Sequence, residues 1–194
     1  MMENKNKVDI SKRQEEFAFK HHKDYDVSKI KELIKDLDQE WVLGKDERFQ
    51  HKALAGTFSY FLHKYDIAWK VKDPYIQRIS NQGSALWNAV YPIVMDLKRI
   101  HGGRMGNVMF AMLNGNSIIP AHWDVGDYLD VSRRNHIPII TNDEVIFSID
   151  GEDATMKEGQ CWEINNNKMH RVENKSKFSR VHLIIDIIPQ QYLQ

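Results

Sequence analysis

The sequence predicts an α+β protein whose body is a β-barrel. Two stretches within the first hundred residues repeat apolar side chains at helical spacing. After Gly103 the texture changes to short runs of branched apolar residues at turn-sized intervals. The breaks between those runs are turn formers: Asn114-Gly115, Asp150-Gly151, Glu158-Gly159 and Asn165-Asn166-Asn167. Many short strands at this spacing make a sandwich or a barrel, and helices ahead of them can cover one face.

Residues 1–25 are polar and carry charges of both signs, with only Val8, Ile10, Phe17 and Phe19 as larger apolar side chains. They read as an arm that is ordered only if it packs on the body. From Ser28, a candidate N-cap, Ile30, Leu33, Ile34, Leu37 and Trp41 form a helical stripe that Gly44 would stop. Thr57–Leu62 and Ile67–Lys72 read as strands. A second helix is expected over residues 84–100, with Leu86, Val90, Ile93, Val94 and Leu97 as its stripe. Lys98 and Arg99 suit its last turn and Gly102-Gly103 its end, while Pro92 requires a late start or a kink. The expected barrel strands are Val108–Leu113, Ser117–Ala121, His136–Thr141, Val145–Ile149, Gln160–Ile164, Met169–Glu173 and Val181–Ile188. Residues 26–194 read as one domain, with helical support over 26–105 and the barrel motifs over 106–189.

Composition narrows the function. The 194 residues carry 27 basic and 27 acidic side chains, so no charge excess draws the chain to nucleic acid or anionic lipid. The single cysteine, Cys161, rules out an internal disulfide and a cysteine-based zinc knuckle, and suits a reducing, cytoplasmic setting. The first twenty residues lack the apolar core of a signal peptide, and no uncharged apolar run approaches the roughly 20 residues of a membrane span. Nine histidines is a high count for this length.

Position sorts those histidines. His122-Trp123-Asp124 ends a strand after the Pro120 bend. Residues i and i+2 of a strand face the same way, so an imidazole and a carboxylate converge and Trp123 faces away. One more histidine from another strand would complete a two-histidine, one-carboxylate facial set. His136, His170 and His182 all lie downstream. On the last strand Arg180, His182, Ile184 and Asp186 share one parity, unusually polar for a closed barrel, and imply a lined cavity. An inward Arg180 could fork two N–H bonds onto a carboxylate. Arg134 and His136 form a second cation–imidazole pair at strand spacing, and Arg133 points outward as a surface charge.

Elsewhere the structural reading prevails. His22-Lys23-Asp24 in the arm reads as a solvated charge cluster, and His51, His63 and His101 as surface or structural residues. Trp162 is expected to pack in the core, Cys161 to be an inert small hydrophobe, and Asn174 to satisfy backbone groups.

Five motifs in order carry a resemblance. They are Leu113-x-Gly115-x-x-Ile118-x-x-His122-x-Asp124, Arg134-x-His136-Ile137-Pro138-Ile139, Gly159-x-x-Trp162, His170-x-Val172-x-Asn174, and Arg180 through Asp186. Over residues 106–189 the chain resembles the aspartyl/asparaginyl β-hydroxylases, Fe(II)- and 2-oxoglutarate-dependent oxygenases on a double-stranded β-helix of jelly-roll or cupin type. The resemblance implies that His122, Asp124 and His170 hold iron and that Arg180 binds the distal carboxylate of 2-oxoglutarate. It places Arg134 and His136 on the co-substrate pocket, with His182 either there or buried as a hydrogen-bonded imidazole. Some animal members carry glycine where this chain has Asp124; the carboxylate resembles the full triad of bacterial members and disfavours a halogenase. With O2 as oxidant, the implied reaction hydroxylates a C–H bond of an amino acid, free or as an Asp/Asn-type side chain in a short peptide. The loop Val125–Arg133 would serve as a lid. The rival expectations are a cupin-type metalloenzyme that does not use 2-oxoglutarate and a non-enzymatic barrel that holds a small acid.

Overall fold

The computed structural model of the protein describes residues 10–37, 57–65, 77–79 and 84–193. In chain order the elements are α1 (Ile10–Gln14), β1 (Phe19–Asp24), α2 (Ser28–Leu33), a 3-10 turn (Ile34–Leu37), β2 (Thr57–Tyr65), β3 (Gln77–Ile79), α3 (Ala85–His101), β4 (Gly103–Leu113) and β5 (Ser117–His122). They continue with α4 (Asp127–Val131), β6 (Arg133–Ile140), β7 (Val145–Ile149), β8 (Glu152–Ala154), β9 (Gln160–Ile164), β10 (His170–Asn174), β11 (Arg180–Pro189) and a closing 3-10 turn (Gln190–Tyr192).

The strands form two antiparallel sheets, ordered β1-β9-β6-β11-β4-β2-β3 and β5-β10-β7-β8. From β4 onward the chain passes repeatedly from the large sheet to the small one and back. Such alternation closes two sheets on each other and makes a double-stranded β-helix. Leu113 and Ile164 of the large sheet pack with Ile119, Phe147, Ile149 and Val172 of the small one between the two layers. The other face of the large sheet is covered by α2 and α3, whose Ile30, Leu86, Val90, Val94 and Leu97 meet Phe110, Ile137, Leu183 and Ile185. The expected α+β barrel with helices on one face is the observed architecture.

Helix α3 follows its sequence signals. The Ser84 hydroxyl accepts from the Trp87 amide at 3.1 Å, and Gly102, at φ +59°, closes the helix with its amide on the Lys98 carbonyl. Pro92 neither delays nor ends the helix. It lies on the exposed face, where water can serve the Asn88 carbonyl that loses its donor.

Two local expectations differ from the structure, and others fall outside the described residues. Ser28 does not cap α2 through its side chain; Val27 holds the cap position and Asp26 accepts the Ser28 amide at 2.9 Å. The helix read to Trp41 tightens into a 3-10 turn from Ile34, and Trp41 and Gly44 lie outside the described residues. Ile67–Lys72 also lies outside them. The polar arm, expected to be ordered only if it packs on the body, does pack there where it is described: β1 adds to the edge of the large sheet beside β9, Ala18 is buried, and Arg13 donates to the carbonyls of Asp130 and Ser132 at 2.9 Å. Those backbone pairings hold a segment whose side chains alone look solvated.

Candidate metal centre

Strands β5 and β10 lie side by side in the small sheet, with His170 directly opposite His122. Opposed residues share a face, and the two ring centroids are 4.3 Å apart. A register shift between His170 and Val172 places an extra residue in β5 at this point, re-aiming the strand end. β5 is an edge strand, which is why Pro120 is tolerated there. Asp124 follows the strand and is anchored by its backbone amide on the Asn166 carbonyl at 3.1 Å.

The donor atoms are already sorted. His122 Nδ1 lies 2.8 Å from the Pro120 carbonyl and His170 Nδ1 lies 2.9 Å from the Lys168 carbonyl. A carbonyl only accepts, so both Nδ1 atoms carry a proton, and in the neutral ring the lone pair lies on Nε2. Burial pushes the His170 pKa down, which favours the neutral, ligating form. Asp124 divides its oxygens: Oδ2 accepts from Arg134 Nη1 at 2.6 Å, while Oδ1 lies 3.9 Å from His122 Nε2. Ligand atoms of His122, Asp124 and His170 all lie within 4.8 Å of one another. Two imidazoles and one carboxylate on one wall fit a divalent ion with open positions.

The three residues line a cavity of about 450 Å³ with Arg134, His136 and Arg180. Its remaining wall is largely apolar, including Phe61, Met109, Ile119, Phe147 and Ile184. Trp123 and Val125 are exposed and border the cavity, so Trp123 is part of its lining.

Arg134 belongs to the carboxylates. Its Nε and Nη2 fork onto the two oxygens of buried Asp186, both at 2.9 Å, and Nη1 reaches Asp124. Burial alone would lower its pKa, but Asp186 and Asp124 raise it further, so the charge is permanent. Asp186 also accepts from the Tyr128 hydroxyl at 3.0 Å, and that hydroxyl accepts from the Asn107 amide at 2.6 Å. Gly106 makes the approach possible, because a Cβ there would run into the Tyr128 hydroxyl. Burial raises the Tyr128 pKa well above its ordinary value, with the Asp186 charge adding to it, so the phenol stays protonated.

The segment Val125–Arg133, expected as a lid, is tied to the body at several points in this structure. The segment contains α4 and is pinned through Tyr128, through Leu129 on Asn166 at 2.9 Å, and through Asp130 and Ser132 on Arg13. His182 is not on the cavity wall. It is buried behind it, with Nδ1 3.3 Å from His136 Nδ1, and burial first, then Arg180 and His136, hold it well below the ordinary histidine pKa.

The remaining assignments divide. His63 is structural, with Nδ1 2.6 Å from the Gly106 carbonyl, and His51 lies outside the described residues. Cys161 is buried and its thiol pushed up to about 12 by burial, with Glu163 second. Asn174 Nδ2 serves the carbonyls of Asn114 and Phe178. Trp162 is only partly buried, packed edge-on to Phe19. Arg133 is tied to Glu16 and Glu163 instead of standing free at the surface. His22 is not solvated: it lies on β1 with its Nε2 3.1 Å from Glu163. Asp186 and Tyr128 are the site-building residues that sequence reading missed. The inward parity of Asp186 was visible, but its partner lies 52 residues away.

A family model described as aspartyl/asparaginyl beta-hydroxylase matches residues 47–189. No curated protein matches the chain in sequence. Among solved structures, an oxidoreductase of the 2OG-Fe(II) oxygenase family from Burkholderia pseudomallei superposes with a TM-score of 0.57 at 11% identity, covering 96% of this chain and 93% of its own. A Pseudomonas putida prolyl-4-hydroxylase gives 0.58 at 11% identity, with 93% and 97% covered. HygX from Streptomyces hygroscopicus, solved with nickel, 2-oxoglutarate and hygromycin B, gives 0.55 at 10% identity, with 89% and 83% covered. At these identities the structural likeness is one of fold.

Proposed function

The chain belongs to the aspartyl/asparaginyl β-hydroxylase family, and from that premise we propose that it is an Fe(II)- and 2-oxoglutarate-dependent dioxygenase using His122, Asp124 and His170 as iron ligands. The carrying observation is the pair of Nε2 lone pairs and one carboxylate oxygen that share a cavity wall. The fold neighbour solved with nickel and 2-oxoglutarate supports the same cofactor class. Iron bound there with 2-oxoglutarate and O2 would supply the oxidising power to hydroxylate an unactivated C–H bond, with succinate and CO2 as co-products.

The protein's share is positioning. His122 and His170 present lone pairs fixed by their backbone carbonyls, so metal binding needs no rotation or proton loss at either ring. Arg134 holds one oxygen of Asp124 and leaves the other for the metal. Arg180, on the same cavity and 3% exposed, offers its guanidinium to the distal carboxylate of 2-oxoglutarate. His136 borders that pocket, and His182 fixes its ring from behind. Helix α4 contributes Tyr128 and Leu129 to the cavity wall, where they help to exclude water from the site.

The substrate in this reading is an amino acid, free or as an Asp/Asn-type side chain in a short peptide. The apolar wall of Phe61, Met109 and Ile119 faces the aliphatic carbons of such a substrate, and exposed Trp123 and Val125 at the rim meet what lies outside the pocket. Residues 26–194 act as one oxygenase domain. No helix among the described residues is long and apolar enough to cross a membrane, and the free, buried Cys161 suits a cytoplasmic setting.

The test is anaerobic. The Fe(II) protein should develop a weak visible absorption band when 2-oxoglutarate is added, and His170→Ala should lack it. With O2 and a panel of amino acids and short peptides, succinate should form beyond the uncoupled background for the true substrate. Absence of the band at saturating 2-oxoglutarate in the wild-type protein overturns the reading.

A further inference from the structure

We propose a second divalent-cation site, separate from the cavity, formed by His22 of β1, His101 at the end of α3 and Glu163 of β9, and suited to zinc. One ligand atom from each lies within 4.8 Å of the other two. The His22 and Glu163 side chains are 8% and 3% exposed, and none of the three residues lines the cavity. His22 Nε2 stands 3.1 Å from Glu163 Oε2, and the His22 and His101 rings meet edge-to-face at 5.2 Å. Zinc bonds of about 2.0–2.2 Å in a tetrahedron set ligand atoms roughly 3.3 Å apart, so the ion would replace the proton that His22 and Glu163 now share.

The surroundings are built for ligands. Asn135 Nδ2 donates to the carbonyls of Arg133 and Ile185 at 3.0 and 3.1 Å, which fixes the amide's orientation. Its Oδ1 therefore accepts from His101 Nε2, 3.0 Å away, and the lone pair of that ring sits on Nδ1. Glu163 Oε1 accepts from Arg133 Nη1 at 3.3 Å, which orients the carboxylate while Oε2 faces His22. Arg133 is itself paired with Glu16 at 2.5 Å, and Arg13 lies in the same charge cluster, so the two arginines and the two glutamates balance and a divalent cation would not meet a net positive charge. Outer partners that fix tautomer and carboxylate orientation are what ligating residues require. Two histidines and one glutamate leave a fourth position for water. The ion would clamp the N-terminal strand to the end of α3 across residues 22, 101 and 163, so its binding free energy adds to the stability of that corner.

The site does not rest on the iron reading, and zinc counting separates the two. Chelator-stripped protein is loaded with Zn²⁺ alone, freed of excess metal and measured by elemental analysis. The wild type should retain two equivalents, His122→Ala/His170→Ala one, and Glu163→Gln one. In the His122→Ala/His170→Ala protein, Zn²⁺ should raise the unfolding temperature, and His101→Gln in that background should remove the rise. His101→Gln, at a half-buried helix end, serves as the counting variant if Glu163→Gln does not fold. Retention of no zinc by His122→Ala/His170→Ala, or of its one equivalent after His101→Gln or Glu163→Gln is added, overturns the proposal.

Discussion

On one face of β11, Val181, Leu183, Ile185 and Ile187 pack into the apolar layer beneath α2 and α3. On the other, Arg180, Ile184 and Asp186 border or support the cavity, and His182 braces His136. All ten residues of the strand are buried. The first face is held by area removed from water and tolerates any side chain that fills the space. The second is held by pairing, so each polar group depends on a particular partner. One strand thus separates the part of the molecule that stabilises from the part that positions.

The largest effect should come from breaking the pairing. Asp186→Ala leaves Arg134 buried with half its partners, and should cost about 3–5 kcal/mol in denaturant unfolding. It should also loosen Asp124 and weaken Fe(II) binding, measured by titration of the folded fraction. Leu183→Ala on the opposite face should cost about 2–5 kcal/mol through the cavity it leaves. Here metal bound per folded molecule should stay unchanged, and a loss of metal would break the division between the faces. Arg180→Lys keeps the charge but loses the planar fork; one weakened charged hydrogen bond, about 1.5–3 kcal/mol, should raise the KM for 2-oxoglutarate by roughly tenfold or more. Its unfolding midpoint should move little. Ser84→Ala, which removes the cap of the covering helix, should cost about 1 kcal/mol with unchanged kinetics. Cys161, buried on the apolar side and pushed up to about 12, should stay unmodified by thiol reagents at neutral pH until the protein unfolds.

The same division explains what was legible in the sequence. The apolar face follows from parity within one strand, and Val145–Ile149 and Gln160–Ile164 coincide with β7 and β9 because turn formers bound them on both sides. His122 and Asp124 announce themselves because they are two residues apart at a strand end. His170 could be chosen from three downstream histidines only by the resemblance, since local spacing does not say which strand pairs with β5. The role of Arg134 was not legible at all. Its parity pointed inward, but its partner Asp186 sits on a strand joined to β6 only by the folded topology. His22 looked solvated for the same reason: its surroundings come from residues 101 and 163. Three-residue β8 gave too short a pattern to register.

The position of β11 has a further consequence, for the order in which the molecule can be assembled. It is the last strand among the described residues, yet it lies at the centre of the large sheet, between β6 and β4. Until residues 180–189 have left the ribosome, β1-β9-β6 and β4-β2-β3 are two ribbons that no other described strand joins, and each exposes an edge that β11 will cover. A nascent chain arrested before Arg180 therefore carries His122, Asp124 and His170 but lacks Asp186, which forks onto Arg134 beside Asp124. A chain that lacks residues 180–189 therefore exposes the unpaired edges of β6 and β4.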